Sequence, residues 1–277
     1  MHGAVLSDIV CSPYGPANPA QGIGFPLFSD ESDAGAASFA TITVGYALVE
    51  ASSDSIMFVD SLEDVIGRID PEQRESMLRV PLPACCSSVG WAFDEDGDIS
   101  KAVDAVASVF GSDAEGARCA KAVACAVRSC RMGDSRFMVR RALAEEHGLA
   151  CEIRPASAMA AELDPIWPSG GSAGEFAPDS FTGAMDGTEL DIEAATVAGL
   201  ESSLSCWGFE HAVRDAVCRT SSSVSAVVAG SVAEAYFTVP DELKRAATRL
   251  LSADYSSMLD AWDSGLWEKR QVLRQLV

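Results

Sequence analysis

The stretch FEHAVRDAVCRTSSSVSAVVAGSVAEAYF (residues 209–237) decides the fold class of this chain. Its apolar residues recur at helical spacing rather than at every second position, which predicts helices over 209–219 and 223–237. Three serines separate the two helices. Short hydroxyl side chains just before a helix are typical N-caps, so we expect one of Ser221, Ser222 and Ser223 to cap the second helix.

The same helical spacing recurs outside this stretch. Nothing alternates with a period of two over several residues, as a sheet would require. The sequence therefore predicts an all-α fold in one domain spanning 1–277, with a loop insertion rich in Pro, Gly, Ser and Asp at about 164–188. Further helices are predicted over 3–10, 36–51, 61–69, 100–109, 115–130, 135–147, 190–203, 240–252 and 255–263.

Composition excludes several classes of protein. Hydrophobic residues make up 48% of the 277 residues, which indicates a large packed core rather than a disordered chain. The formal charge of -21 repels phosphate backbones and anionic bilayers, so we expect neither nucleic-acid nor membrane binding. No apolar run approaches the roughly 20 residues of a membrane span, and no signal peptide is apparent. A cytoplasmic location is the expectation.

The nine cysteines include no CxxC pair, and histidine occurs only three times. We therefore expect reduced, mostly buried thiols rather than disulfides or a zinc site. The acidic run from Asp94 to Asp98 resembles the start of a calcium loop but fails as an EF-hand, because Ile99 and Ala105 stand where Gly and Glu are needed. A helix cap at Asp98 or Ser100 is expected instead.

No catalytic motif emerges from residue spacing alone. The chain has neither a GxSxG nucleophile elbow nor a GxxxxGK[ST] phosphate loop. His147 and His211 lie in charged helical surroundings and are interpreted as solvated surface residues.

Two colinear segments nevertheless resemble the ADP-ribosylglycohydrolases of the dinitrogenase-reductase-activating type. GAVLSDIVCSPYGPAN (3–18) with FPLFSDESDAGAASFATITVGYALVEA (25–51) is similar to that family's opening, which reads GA-x-x-GD-x-x-G-S-x-Y-E, FPLFS and TDD[ST]. FEHAVRDAV (209–217) with AGSVAEAY (229–236) is similar to its closing segment, which contains FE-x-A-[IV]-R-x-AV and GGD[ST]DT. VGWAF (89–93) resembles the central P-x-G-W-[AL]-F.

The resemblance implies an all-α fold whose cleft holds two Mg²⁺ or Mn²⁺ ions, bound by the aspartates of TDD[ST] and D-x-D-[ST] at two helix starts. Such ions require oxygen ligands, mainly carboxylates, and can activate a water for hydrolysis. TDD[ST] falls on Gly35, Ala36, Ala37 and Ser38, so both aspartates have become alanine.

The second set of ligands is lost as well. GGD[ST]DT falls on residues 219–224, where Ser221 and Ser223 replace both aspartates and Arg219 replaces the first glycine. The family's Tyr-Glu falls on Tyr14-Gly15. Neutral side chains do not offset the dehydration of Mg²⁺, and Arg219 would oppose metal binding further. We predict no metal site and no cofactor. The remaining cleft candidates are Asp8, Tyr14, Ser38, Ser221, Ser222 and Ser223.

Three functions follow from this pattern. The first is a pseudoenzyme whose cleft binds ADP-ribose, a related nucleotide or a protein. The second is a hydrolase with altered chemistry that uses Asp94, Asp96 or Asp98, or one of the thiols of Cys85 and Cys86. The third is an interaction module whose acidic surface binds a basic partner. Asp8 fits either a buried scaffold role or the orientation of a ligand, and the three serines fit either helix capping or anion binding.

Overall fold

The structure, a computed structural model, describes residues 1–14, 20, 25–152, 191–220 and 222–275, with side chains as far as residue 265. The described residues form α-helices and one 3-10 turn (Leu82–Ala84), and they contain no strand. The all-α prediction is confirmed. The helices are α1 (His2–Cys11), α2 (Ala36–Glu50), α3 (Phe58–Arg68), α4 (Pro71–Leu78), α5 (Ser87–Ala92), α6 (Asp96–Phe110), α7 (Ala114–Met132), α8 (Arg136–His147), α9 (Ile192–Ser205), α10 (Phe209–Thr220), α11 (Ser223–Phe237), α12 (Asp241–Thr248) and α13 (Ala253–Gln275).

Local signals fix many of the helix ends. The side chains of Asp113, Ser135 and Asp191 accept hydrogen bonds from the first turns of α7, α8 and α9, as N-caps do. Gly133 ends α7 and Gly148 ends α8, both in the left-handed conformation that glycine adopts at little cost.

One boundary prediction was wrong, and two short helices were not predicted. The helix predicted over 61–69 ends before Pro71, as α3 does at Arg68, but Pro71 also begins the unpredicted α4, because the Asp70 carboxylate accepts hydrogen bonds from Glu72 N and Gln73 N. The cap expected at Asp98 or Ser100 lies earlier, since Glu95 is the extended residue that precedes α6. The short α5 was not predicted. The insertion at about 164–188 lies outside the described residues and stays a prediction, as does the single domain over 1–277.

α11 is the central helix of the fold, and every residue from Val224 to Glu234 is buried. It packs against α1, α7, α9 and α10. Gly3 lies against Gly230 and Glu234, whereas Ser7, one turn further along α1, lies against Gly230. The two helices therefore run antiparallel, and the end of α1 lies near the start of α11.

The expectations for the cysteines and for membrane-spanning helices can be compared with the described structure. All nine cysteines are free thiols, seven of them buried and Cys125 and Cys218 half-buried. No helix within the described ranges combines the length and apolar character needed to cross a bilayer.

Candidate functional site

Asp8, in the last turn of α1, lies against the start of α2. Its Oδ2 accepts hydrogen bonds from Gly35 N (3.0 Å), Ser38 N (2.9 Å) and Ser38 Oγ (2.7 Å). Gly35 is the N-cap residue of α2 and has no side chain with which to cap it. The carboxylate of Asp8 therefore satisfies amide groups that the first turn of α2 leaves open. Asp8 and Ser38, both cleft candidates, are thus in direct contact.

The Asp8 carboxylate is almost fully buried, with 5% of the residue exposed. Burial raises its pKa, while the hydrogen bonds from Ser38 and Gly35 lower it and nearby Asp33 raises it again. Burial is the largest effect, so the pKa of Asp8 lies above its ordinary value. A β-carbon at Gly35 would stand 2.9 Å from Oδ2, which leaves little room for any larger residue there.

The positions that the resemblance assigns to metal ligands lie at two helix starts. Ala36 and Ala37 begin α2, and Ser223 begins α11. The start of α2 lies against Asp8 near the end of α1. The antiparallel packing of α1 and α11 brings the start of α11 toward the same end of α1, and α2 and α11 contact each other. We call this region the α2–α11 junction.

The start of α11 differs from the expected serine cap. Ser222 is the N-cap residue, but its side chain makes no capping hydrogen bond. Its backbone N–H donates instead to Thr220 Oγ1 (3.2 Å), which in turn donates to the carbonyl oxygen of Ala216 (3.1 Å). Ser223 is exposed at the first helical position. Ser221 lies outside the described residues.

Arg219 faces α9, where its charge is offset. Its Nη2 donates to Glu201 Oε2 (2.7 Å), and Nη1 lies 3.5 Å from the carbonyl oxygen of Ala198. Glu201 Oε1 also accepts a hydrogen bond from Glu152 N (2.9 Å). The expectation that Arg219 opposes cations at the α2–α11 junction therefore has to be corrected, because a carboxylate on α9 pairs with it.

Tyr14 is held in a cluster beside the end of α1. Its ring lies 4.7 Å from the ring of Phe25, and its hydroxyl lies 3.5 Å from the carbonyl oxygen of Pro26. The guanidinium of Arg214 donates to the carbonyl oxygen of Phe25 and lies 5.2 Å from the centre of its ring. Burial raises the pKa of Tyr14, and the charge of Arg214 opposes that rise.

The sequence reasoning did not give Arg214 this role of tying residues before α2 to α10. The signal was present, because Arg214 is the arginine of the FEHAVR stretch that carries the resemblance. What the pattern could not show is that its side chain reaches back to Phe25.

The acidic residues offered as alternative ligands are engaged elsewhere, at the start of α6. Asp94 pairs with Arg131, and Asp96 Oδ1 lies 2.7 Å from Arg128 Nη1. Asp98 Oδ1 accepts from Ser55 Oγ (3.1 Å) and lies 3.3 Å from Lys101 Nζ. These contacts are those of an ion-paired helix start.

The thiols of Cys85 and Cys86 are both fully buried. Hydrogen bonding to Cys85, and then burial, raises the pKa of Cys86 well above its ordinary value, so its thiol resists conversion to the reactive thiolate.

His147 departs from the expectation of a solvated surface residue. It is half-buried rather than solvated, its Nε2 is buried with no hydrogen-bond partner among the described residues, and desolvation lowers its pKa. His211 is exposed.

The described residues of the α2–α11 junction do not fit a pair of divalent cations. Alanine and serine stand at the described ligand positions, and Oδ2 of Asp8 is already occupied by three donors. Within the described residues, no group of three or more His, Cys, Asp or Glu side chains is arranged to hold a metal ion. Hard cations require several oxygen ligands at once, which the described residues there do not supply.

A cavity of about 890 Å³ lies between α7, α9 and α10, and its described lining includes none of Asp8, Tyr14, Ser38, Ser222 and Ser223. Carboxylates dominate its described wall, and several are already engaged, such as Glu193 with Arg118 and Glu201 with Arg219. The charged lining residues are Asp113, Glu115, Asp191, Glu193, Glu201 and Arg219.

Comparison with known proteins gives a structural likeness only. No protein-family model matches the chain, and no curated protein matches it. Among solved structures, it is similar to an "ADP-ribosylglycohydrolase-related protein complex", with a TM-score of 0.54 and 14% sequence identity. The alignment covers 96% of this chain and 94% of the other. At that identity the likeness shows the fold, and the chain has an ADP-ribosylglycohydrolase-like all-α fold.

Proposed function

We propose that this protein is a pseudoenzyme with the ADP-ribosylglycohydrolase-like fold, and that the α2–α11 junction binds ADP-ribose or a related nucleotide without hydrolysing it. The observation that carries the proposal is the chemistry of the two helix starts. Ala36, Ala37 and Ser223 offer no carboxylate at positions where the resemblance places metal ligands. The scaffold contact between Asp8 and α2 is nevertheless intact.

A phosphate-bearing ligand suits this junction better than a metal pair does. The amides at the start of α11 carry partial positive charge and favour an anion, whereas those of Gly35 and Ser38 at the start of α2 are already bound to Asp8. Replacement of the family's four aspartates removes most of the repulsion that a phosphate would meet. Exposed Ser223, at the first position of α11, adds a hydroxyl that can donate a hydrogen bond. Binding without metal is the expected consequence.

Calorimetric titration of the full chain with ADP-ribose tests the proposal, in Mg²⁺ and in EDTA. We expect the same affinity in both buffers. Ser223→Glu places a negative charge at the start of α11, which suits the helix but repels phosphate, so binding should weaken by about tenfold or more. Ser252→Glu, at the exposed start of α13, is the matched control and should bind like the unaltered protein.

Three outcomes would overturn the proposal. They are absence of ADP-ribose binding, binding that requires Mg²⁺, and release of ADP-ribose from a modified arginine or serine substrate above background. The last of these would favour the altered hydrolase, and then Cys86→Ser and Asp96→Asn would show whether either alternative group takes part.

A further inference from the structure

An exposed apolar and basic surface surrounds the start of α8. Seven large hydrophobic side chains are exposed within the described part of the chain, and four of them lie here: Met132, Phe137, Met138 and Trp207, each 51–64% exposed. We call these four residues, with Arg136 and Arg140, the α8 patch. Exposed apolar groups that gather in one place mark interaction sites, whereas scattered ones do not.

Arg136 links the start of α8 to the ends of α9 and α11. Its Nη1 lies 3.5 Å from the carbonyl oxygen of Ser205, two residues before Trp207. Its guanidinium also lies 5.8 Å from the ring centre of Tyr236 and 5.5 Å from that of Phe237. These contacts restrict the orientation of Arg136, which lowers the ordering cost when it binds a partner.

The α8 patch is basic within a strongly acidic chain. Residues 128–141 contain five arginines and one acidic residue, whereas the whole chain carries a formal charge of -21. Arg128, Arg131 and Arg141 pair with carboxylates, but Arg136 and Arg140 form no ion pair with any described residue. Two arginines thus remain available beside the exposed methionines and aromatic rings.

We propose that the α8 patch binds an acidic protein segment that also carries large apolar side chains. Charge complementarity selects this occupant: its carboxylates would pair with Arg136 and Arg140, and its apolar groups would cover Phe137 and Trp207. Arginine, methionine and aromatic residues are the types enriched in such interfaces. A second copy meeting the same patch would set arginine against arginine. An anionic bilayer is much wider than the patch and would also face the acidic surface around it, whereas a short acidic segment contacts the patch alone.

Fluorescence anisotropy with the full chain and a labelled synthetic helical peptide of alternating Glu-Glu and Leu-Phe pairs tests the proposal. We expect saturable binding that weakens by about tenfold or more between low and 0.3 M salt, because charge pairs form in it. The same peptide with every Glu replaced by Gln lacks the carboxylates that would pair with Arg136 and Arg140, and should bind much more weakly. The double variant Phe137→Ser with Arg140→Glu should lose about tenfold or more in affinity.

The matched control alters one exposed apolar residue and one exposed arginine elsewhere, Ile56→Ser with Arg249→Glu, and should bind the acidic peptide normally. Circular dichroism of both double variants verifies that they fold. The proposal is wrong if the acidic peptide does not bind, if the glutamine peptide binds equally well, or if the α8 patch variant binds unchanged. Dimerisation or binding to phosphatidylglycerol vesicles, lost in the patch variant, would assign the surface to those occupants instead.

Discussion

At the scale of single residues, the contact between Asp8 and α2 is the most consequential polar interaction near the candidate site. Asp8→Ala would remove the acceptor of three hydrogen bonds, leaving the backbone N–H groups of Gly35 and Ser38 without that partner and Ser38 Oγ with only the carbonyl oxygen of Val5, 3.4 Å away. We expect the free energy of unfolding to fall by about 2–4 kcal/mol, as measured by urea denaturation. Asp30→Ala, at an exposed position, should change it by less than about 0.5 kcal/mol. Equal effects of the two variants would contradict the structure.

Because burial raises the pKa of Asp8, its contribution to the stability of the fold depends on pH, and the direction can be worked out. A carboxyl whose pKa is higher in the folded state stabilises the fold when protonated, at pH below its ordinary pKa of 3.8. That contribution is lost as the pH rises through the folded pKa. Asp8→Asn cannot titrate, so the stability of the unaltered protein relative to this variant should decline from acid to neutral pH.

The residue scale also shows where prediction from sequence succeeds and where it stops. The register of the flanking motifs placed Ala36 and Ala37 at a helix start, and the structure has them there. Side-chain direction was not predictable in the same way. Arg219 pairs with Glu201, eighteen residues earlier in the chain, because the two helices pack side by side, and no local pattern encodes that approach.

At the scale of helices, the close approach of α1 and α11 depends on two glycines. A β-carbon at Gly230 would overlap Ser7 Oγ and the carbonyl oxygen of Gly3. Gly230→Ala should therefore lower the free energy of unfolding by about 1–3 kcal/mol or more, despite the better helix propensity of alanine. Gly67→Ala is the control, since nothing lies within 4 Å of its β-carbon position. It should stabilise the protein by up to about 1 kcal/mol, and the opposite order in thermal melts would refute this packing.

Helices were predictable wherever apolar spacing was long and regular. The predicted bounds 223–237 coincide with those of α11, and 209–219 falls one residue short of the end of α10. Short elements were missed because their signals compete. The Asp70-Pro71 pair both follows the end of α3 and starts α4, and α4 buries only Met77, so no apolar period marks it. In α5 six residues are too few to show a period.

At the scale of the whole molecule, the sequence defined the fold class but not the ligand. An all-α fold follows from many weak, repeated signals, which reinforce one another over the chain. Ligand binding would depend instead on a few side chains from several helices, such as the proposed contribution of Ser223 from α11. The loss of acidic residues could be seen in the sequence. The choice of ligand depends on side chains from different helices, whose positions no local sequence pattern encodes.

The charge of the whole chain leads to a last prediction. With 41 acidic and 20 basic residues, repulsion between like charges acts over the entire surface, whereas exposed ion pairs such as Arg79–Glu75 each contribute at most about 1 kcal/mol. Salt screens both effects. Because acidic residues outnumber basic ones twofold, raising NaCl from about 10 mM to 0.5 M should increase the free energy of unfolding in urea, by about 1 kcal/mol.

A matched variant separates this general repulsion from local pairing. Glu63 and Glu146 are exposed and form no ion pair with any described residue. Glu63→Gln with Glu146→Gln therefore makes the net charge less negative by two while leaving the observed pairs intact. We expect a smaller increase with salt in this variant than in the unaltered protein. If salt instead lowers the stability of both proteins, then the ion pairs that bind one helix to another, such as Arg118–Glu193 and Arg219–Glu201, outweigh the repulsion. The acidic surface would then be a stabilising network rather than a strain on the fold.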